Sequence, residues 1–188
     1  MPRAGLDRAA VIDAAARLAD GEGMAAVTLA RLAQELGVKP PSLYNHVRNL
    51  AEIERALALA GAREAAGRML RAAAGVSRED ALLAVGLAYR DFARERPGLY
   101  AASLKAPARD DDELRDAGNE TVGVVLAVLS GYGLTGDDAL HATRGLRAII
   151  HGFVSLEAAG GFGLALDAKE SLARLLRAFG RGLAATRP

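Results

Sequence analysis

The sequence predicts an all-α fold, and two observations support this prediction. Helical periodicity, interrupted by glycine and proline, recurs along the 188 residues, and no stretch alternates apolar and polar side chains as a half-buried strand would. The apolar share is 51% but the aromatic share only 4%, so Ala, Leu, Val and Ile must build the core. We expect about nine helices: a three-helix head, residues 1–53, joined through a long fourth helix to a helical body, residues 54–188.

Three short helices are predicted in the head. The first runs from Asp7, its N-cap, to about residue 20, where glycines 21 and 23 stop it. Thr28 caps the second, which ends at Gly37. The third starts at Pro41, because a proline disfavours helical backbone in the residue before it, and ends near Val47.

Six helices are predicted in the body, over about residues 49–74, 77–96, 99–105, 112–132, 137–159 and 167–184. Glycines at positions 75, 133 and 160 mark several of the ends. Three helix starts show the spacing of a capping box: Asn49 with Glu52, Ser77 with Asp80, and Asp167 with Glu170.

The composition limits the compartment and the partners. The chain contains no Cys, which excludes disulfides and thiolate metal sites. No apolar run is long enough to span a membrane and the N-terminus lacks an apolar signal core, so we expect a cytoplasmic protein without a membrane partner. The net charge is +1, and residues 1–50 hold six Lys and Arg against five Asp and Glu. Any nucleic-acid partner must therefore be recognised by a local feature.

Residues Thr28 to Val47 have the pattern of a helix-turn-helix, in which two short helices meet across a tight turn. Gly37 lies at the turn, where glycine most easily adopts left-handed backbone. Four residues earlier, Ala33 is small enough for the two helices to approach closely. The contacts between them are expected from five apolar residues: Leu32, Leu36, Val38, Leu43 and Val47.

The outer face of the third helix carries polar side chains. With Leu43 and Val47 directed inward, Ser42 and Asn45 share the outer face and could reach base edges in a major groove. Pro41 could touch a thymine methyl group. Four flanking residues have donors suited to phosphate oxygens: Lys39, Tyr44, His46 and Arg48. For Tyr44 and His46 alone, an ordinary role on an amphipathic surface is an equal alternative.

The stretch from Thr28 to Leu50, with Leu-Tyr-x-His at residues 43–46, resembles the DNA-binding head of the TetR family over about residues 7–55. The resemblance implies that Tyr44 and His46 contact phosphates and that the bases lie nearest Lys39, Pro41, Ser42 and Asn45. Leu50 departs from the pattern, since many relatives carry Lys there. The predicted DNA-binding residues are Thr28, Lys39, Pro41, Ser42, Tyr44, Asn45, His46 and Arg48.

The body is also similar to known sequences. The run from His151 to Glu157, followed by Gly160-Gly-Phe-Gly, is similar to a large TetR C-terminal subfamily with a His-Gly pair in this helix. On a helical wheel, one face of the eighth helix holds small residues, including Ala148, Gly152 and Ser155. Glycine in a helix costs roughly 1 kcal/mol relative to Ala, so this stripe indicates close approach of another helix.

The last helix presents a narrow apolar stripe: Leu172, Leu175, Leu176, Phe179 and Leu183. The family resemblance implies that the last two helices pair with their copies in a four-helix homodimer interface. The alternative is packing within one chain.

A ligand cavity in the body is predicted from its few large side chains, Met69, Phe92, Tyr100 and Phe153, although core packing is the alternative for each. Arg144, Arg147 and His151 form another stripe of the eighth helix. This stripe is either solvated, paired with acids, or partly turned toward an acidic ligand through Arg147 or His151. The positions of His141, His151 and Glu157 do not suit a metal site, and no cofactor is expected.

The expected function is a DNA-binding transcriptional regulator: a repressor released from a near-palindromic operator when an unidentified small molecule binds the C-terminal domain. An enzyme is disfavoured, since no Ser-His-Asp, paired-carboxylate or Gly-rich phosphate motif occurs. A helical adaptor that kept the head but lost DNA binding is the other competitor. Direct DNA binding discriminates between them.

Overall fold

A computed structural model describes residues 6–185 of the chain. Within this range it contains nine α-helices, one 3₁₀ helix and no strand, which confirms the predicted fold class. None of the described helices is long and apolar enough to cross a membrane. The α-helices are α1 (Arg8–Glu22), α2 (Leu29–Leu36), α3 (Pro40–Leu43), α4 (Leu50–Ala73), α5 (Arg78–Glu95), α6 (Pro97–Ser103), α7 (Asp112–Ser130), α8 (Gly136–Ala158) and α9 (Ala168–Ala185), and the 3₁₀ helix is Met24–Ala26.

The chain divides into two compact units. The first combines the residues up to Ala62 with Glu95–Arg115, and the second combines Arg63–Arg94 with the residues from Asp116 onward. This division differs from the single boundary predicted after residue 53. The first unit is discontinuous in sequence because α6 packs against α1.

Helix α1 begins as predicted and ends later. The Asp7 carboxylate accepts a hydrogen bond from the Ala10 amide at 2.7 Å, as an N-cap does. Gly21 does not stop the helix, which continues to Glu22 and ends at Gly23, where φ is 87°. A glycine alone only weakens a helix. The turn at the end comes where the backbone becomes left-handed.

Helix α3 is shorter than predicted and starts one residue earlier. Pro40 is already helical, because at the first helical position a fixed φ is suitable and a missing N–H costs nothing. The regular helix ends at Leu43, not near Val47. The chain continues through a turn in which the Leu43 carbonyl accepts from the amides of His46, at 2.9 Å, and Val47, at 3.0 Å.

Two of the predicted capping pairs form with altered partners. Asn49 accepts from the Glu52 amide at 2.9 Å, as predicted, but the Glu52 carboxylate accepts from the Arg48 amide at 2.9 Å. Asp167 accepts from the Lys169 amide at 2.9 Å, two residues on. Glu170, the partner predicted for Asp167, instead accepts a hydrogen bond from Arg174 Nε.

Helix α6 is held between α1 and α4 in the first unit. Asp20 of α1 accepts from the amide of Gly98 at 2.9 Å and from Arg96 Nε at 2.7 Å. A Cβ on Gly98 would overlap the backbone of Ala19, and one on Gly61 would overlap the Leu99 carbonyl oxygen. These two glycines allow backbone contact on both sides of α6, which is why this helix belongs to the first unit.

The loop after α6 is bonded to α4 by a charged cluster. Arg55 donates two hydrogen bonds to Asp111, both at 2.7 Å, and one to Glu113 at 2.8 Å. Asp111 also accepts from the Leu114 amide at 3.1 Å, at the start of α7. The bonds from Arg55 and then from Leu114 lower the pKa of Asp111 below its usual value. The carboxylate form is therefore stabilised in this loop.

The core of the second unit joins α5 to α8 and α9. Gly86 of α5 has no room for a side chain because the Leu176 methyl groups occupy that space. Arg90 of α5, 3% exposed, is the one buried charged residue in the described part of the chain. It donates to both carboxylate oxygens of Glu157 of α8, at 2.9 and 2.5 Å. This two-bond geometry compensates the cost of burying a guanidinium.

Candidate functional site

Helices α2 and α3 form the predicted helix-turn-helix. The Thr28 hydroxyl accepts from the Arg31 amide at 3.1 Å and caps α2. Gly37 has left-handed backbone, with φ of 66° and ψ of 31°. The Val38 amide then donates to the Ala33 carbonyl at 2.9 Å, which closes the turn. The cap and the glycine turn are confirmed at the predicted residues.

The inner side of this motif is closely packed. Leu32 and Leu43 are completely buried, and Ala33 and Val47 are nearly so. Leu36 and Val38 were expected in the same contact but are half-buried. They lie at the edge of the motif, where the turn leaves the core. The inward direction of Leu43 and Val47 leaves the intervening side chains free to face outward.

The residues predicted to face DNA are accessible. Tyr44 is 58% exposed, which is a high exposed fraction for a large aromatic side chain. Ser42 and His46 are half-buried. The other five predicted residues are exposed: Thr28, Lys39, Pro41, Asn45 and Arg48.

Arg48 has an acidic partner that the sequence analysis did not identify. Its Nε donates to Glu52 at 3.2 Å, and the other oxygen of Glu52 accepts from Arg8 Nε, also at 3.2 Å. The bond from the Arg48 amide, followed by the two guanidinium bonds, lowers the pKa of Glu52. The spacing of four residues between Arg48 and Glu52 is the sequence signal that could have predicted this ion pair. A phosphate would therefore compete with Glu52 for Arg48.

The small stripe of α8 faces outward. Ala148, Gly152 and Ser155 are exposed, and a Cβ on Gly152 would meet nothing within 4 Å. Leu175 of α9 is 41% exposed, and Leu183 is half-buried. Ala148, Gly152, Ser155 and Leu175 are therefore accessible in the single chain.

Two residues predicted at the dimer interface pack inside their own chain. Leu172 and Leu176 are completely buried within their own chain, because their side of α9 packs inward and Leu176 contacts Gly86. Phe179 is half-buried, with ring atoms at 3.5 and 3.7 Å from the Cβ position of Gly145 in the same chain. The stripe of α9 therefore serves intrachain packing over much of its length.

The predicted ligand-pocket residues divide between core and surface. Met69 and Phe92 of the second unit and Tyr100 of the first are buried. Phe153 is half-buried, and its ring centroid is 4.7 Å from that of Phe162. The remaining two candidates lie on the same helix: Arg147 and His151.

The charged stripe of α8 is mostly accessible. Arg144 and Arg147 are exposed and His151 is half-buried. Burial raises the pKa of Tyr89, while the positive charge of Arg147 opposes this shift. Arg147 therefore acts electrostatically on the Tyr89 hydroxyl of α5.

Both parts of the chain match protein-family models. Residues 11–57 match bacterial regulatory proteins of the tetR family, and residues 82–179 match the C-terminal domain of tetracyclin repressor-like proteins. The chain belongs to the TetR family. It is a helix-turn-helix transcriptional regulator, a member of a family of DNA-binding proteins that are not enzymes.

Two curated relatives extend the match over most of the chain. The HTH-type transcriptional regulator YobS of Bacillus subtilis is 38% identical over 97% of this chain and 95% of its own length. An HTH-type regulator of Mycobacterium tuberculosis is 39% identical over 82% of this chain and 72% of its own. The similarity of the TetR-family regulator to both is therefore not confined to its head.

Solved structures show the same fold. A Rhodococcus protein has a TM-score of 0.82 and 24% identity, covering 98% of this chain and 99% of its own. A TetR variant of Acinetobacter baumannii in complex with minocycline has a TM-score of 0.71 and 23% identity, with the same coverage. TetR-family proteins bind DNA operators, dimerise and bind small molecules.

Proposed function

We propose that this regulator is a cytoplasmic homodimeric repressor, released from a near-palindromic operator when a small molecule binds its C-terminal domain. The observation that carries this proposal is the outward-facing surface between Lys39 and Arg48. Leu43 and Val47 anchor that surface to the core, while Tyr44 and Asn45 between them are exposed. Two such surfaces, about 34–36 Å apart in a dimer, would enter successive major grooves.

The side chains of this surface divide by chemistry. Pro41, Ser42 and Asn45 face the bases, where an amide can bond to both edge atoms of an adenine. Four residues bind phosphates: Lys39, Tyr44, His46 and Arg48. Thr28, at the start of α2, offers a hydroxyl donor beside the unsatisfied amides of a helix N-terminus, which is a favourable place for a phosphate.

The dimer interface is proposed on α8 and α9, with three small residues of α8 at the closest approach: Ala148, Gly152 and Ser155. The connection between these helices supports this choice. Phe162, Leu164 and Leu166 are 41%, 79% and 74% exposed, and exposed large apolar side chains gathered in one segment mark an interaction surface. A second copy of the chain would remove them from water.

Release would follow from a population shift. A ligand that binds one conformation of the C-terminal domain better than another favours that conformation. We propose that the favoured conformation moves α4 and with it the head, so that the two recognition helices no longer match the operator. The Acinetobacter relative bound to minocycline supports a small organic effector.

Selection of bound DNA fragments by the full-length protein tests the proposal. The selected fragments should contain two related half-sites with centres one helical turn apart. A protein that enriches no fragment above background would contradict the DNA-binding role and favour a helical adaptor.

Variants of the recognition surface then test the assigned roles. Lys39→Ala should weaken binding to all sequences and reduce the salt dependence by about one counterion, and Tyr44→Phe should also weaken binding to all sequences. Asn45→Ala should instead change the base preferred at one position. Exposed Gln34 of α2 provides a control, Gln34→Ala. Parent-like binding by the first three variants would mean that the recognition surface lies elsewhere.

A further inference from the structure

A groove opens on the second unit where the end of α4, the start of α5 and the end of α7 meet. Its volume is about 610 Å³, which lies within the range of small-molecule sites. It is lined largely by apolar side chains, among them Leu70, Val76, Ala81, Val124, Ala127 and Val128. None of the residues predicted at the sequence level to form a ligand pocket lines it.

The apolar lining of the groove is unusually accessible. Leu70 on α4 is 62% exposed and Val76, in the connection to α5, is 43% exposed. Both line the groove, so two branched aliphatic side chains face water at the same concavity. Covering such a patch with an apolar group is favourable, because it removes apolar surface from water.

The charges of the groove have one sign. Arg71 and Arg78 are its only charged lining residues, and no carboxylate lines it. Both arginines are exposed, and among residues 6–185 neither forms an ion pair within 4.0 Å. Glu79, the acid next to Arg78 in sequence, lines a neighbouring depression that Arg78 also lines, and it pairs with Arg177 at 3.9 Å. An anion in the groove would meet two guanidinium groups that form no ion pair with the described residues.

Arg78 also has an unfavourable backbone. Its φ is 50°, and it is the one non-glycine residue with positive φ in the described chain. For residues with a Cβ this conformation costs about 1–2 kcal/mol. Its Cγ lies 3.6 Å from the Cβ position of Gly131 at the end of α7. The side chain is thus positioned beside the groove by a conformation that glycine would adopt more easily, and such strain occurs often at binding sites.

We propose that this groove binds an amphiphilic carboxylate, with its aliphatic chain against Leu70, Val76 and Val128 and its carboxylate between Arg71 and Arg78. The Arg71 guanidinium now lies over Gly67, and it can turn toward the groove without breaking an ion pair. The inference rests on the proposed function, since it gives the small-molecule ligand of the C-terminal domain a chemical class and a location.

Calorimetric titration of the full-length protein with decanoate and with decanol tests the inference. Decanoate should bind more tightly than decanol. Arg71→Gln and Arg78→Gln should each weaken decanoate binding about tenfold, the effect of losing one hydrogen bond to a charged group, and should leave decanol binding unchanged. Ala127→Trp, which fills the groove, should abolish binding of both.

Arg181→Gln is the matched control, since Arg181 is an exposed arginine of the same unit that does not line this groove. Decanoate affinity should stay at the parent value in this variant. Equal losses in all three arginine variants would overturn the inference, because they would indicate general electrostatic attraction. Decanoate binding that survives Ala127→Trp would overturn it as well.

The titration needs no DNA, so it separates this inference from the proposed function. Specific binding of decanoate by a protein that selects no operator would support the groove and contradict the repressor. An operator-binding protein that binds no decanoate would support the repressor and contradict the groove. Sedimentation of the parent and Ala127→Trp proteins tests whether a second chain occupies the groove instead. If the parent is a dimer and the variant is not, the groove is a dimer contact, and the inference of a ligand site is overturned.

Discussion

Asp20 shows, at the scale of single residues, how one side chain joins distant parts of the chain. Its carboxylate accepts from Arg96 and from the amides of Gly98 and Leu99, so α1 supplies the N-terminal cap that α6 lacks in its own sequence. The caps at Asp7 and Thr28 were predictable because each bonds an amide three residues away. The role of Asp20 was not, since its partners lie 76 to 79 residues away.

Asp20→Ala should lower the free energy of unfolding by about 1–2 kcal/mol, because the amides of α6 lose their acceptor and Arg96 loses its partner. Urea denaturation followed by circular dichroism measures the change. Asp13→Ala is the control, since Asp13 is an exposed carboxylate of the same helix. An equal, small loss in both variants would assign Asp20 an ordinary surface role.

Asp111 makes the stability of the first unit depend on pH. Its pKa is lower in the folded chain, chiefly through Arg55, so its contribution is complete above the ordinary Asp value of about 3.9 and is lost as pH falls toward the folded value. Asp111→Asn should therefore destabilise the protein at neutral pH, and the difference from the parent should shrink between about pH 5 and about pH 2. Asp110→Asn, at the exposed neighbouring position, should cost little at either pH. A difference for Asp111→Asn that stays constant across this range would contradict the role given to Arg55.

At the scale of elements, helix α6 was predicted correctly as a helix but was assigned to the wrong part of the chain. Its existence was predicted from the proline and the periodicity, but its place was not. The sequence predicts that it belongs to the body, whereas the glycines at 61 and 98 allow it to pack against α4 and α1. The sequence does not show which element approaches Gly61 and Gly98, nor that helical glycines such as Gly118 have no close neighbour.

Gly98→Ala should destabilise the protein by about 1–3 kcal/mol, because the new methyl group overlaps the backbone of Ala19. Gly118→Ala is the matched comparison: Gly118 lies within α7 and has nothing within 4 Å of its Cβ position. That variant should gain about 0.5–1 kcal/mol through higher helix propensity. Opposite shifts in melting temperature are expected, and a gain in both variants would mean that α6 and α1 are not in close contact.

The apolar stripe of α9 illustrates the same limit. Leu172 and Leu176 satisfy the helical spacing expected of an interface, and both are buried in their own chain. Periodicity identifies the covered face of a helix but does not distinguish a partner element in the same chain from one in another. The small stripe of α8 differs, because its residues are exposed in a single chain, and its role in an interface stays a prediction.

Dimer formation belongs to the scale of the whole molecule, and Gly152 gives a selective test of it. Nothing in its own chain lies within 4 Å of its Cβ position, so Gly152→Leu should leave the folded chain intact. Across a two-fold axis the insertion occurs twice, at about 1–3 kcal/mol each. The dimer dissociation constant should rise by at least about 30-fold.

Sedimentation at several concentrations, with an operator titration in parallel, measures this effect. Operator affinity should fall together with dimerisation, because a monomer contacts one half-site. Gly123→Leu is the control, since Gly123 is an exposed helical glycine of α7 with equally open surroundings. A dimeric Gly152→Leu protein with normal DNA binding would move the interface to another surface, such as the exposed side of α9.

The discontinuity of the first unit has a consequence for biosynthesis. A ribosome releases the chain from its N-terminus, so the helix-turn-helix leaves the exit tunnel long before residues 95–115, which complete its unit. Until α6 emerges, the surface of α1 around Ala19 lacks its cover, and the nascent head exposes this surface to chaperones and proteases. The head is first in the sequence, yet it reaches its complete fold only after more than half of the polypeptide has been synthesised.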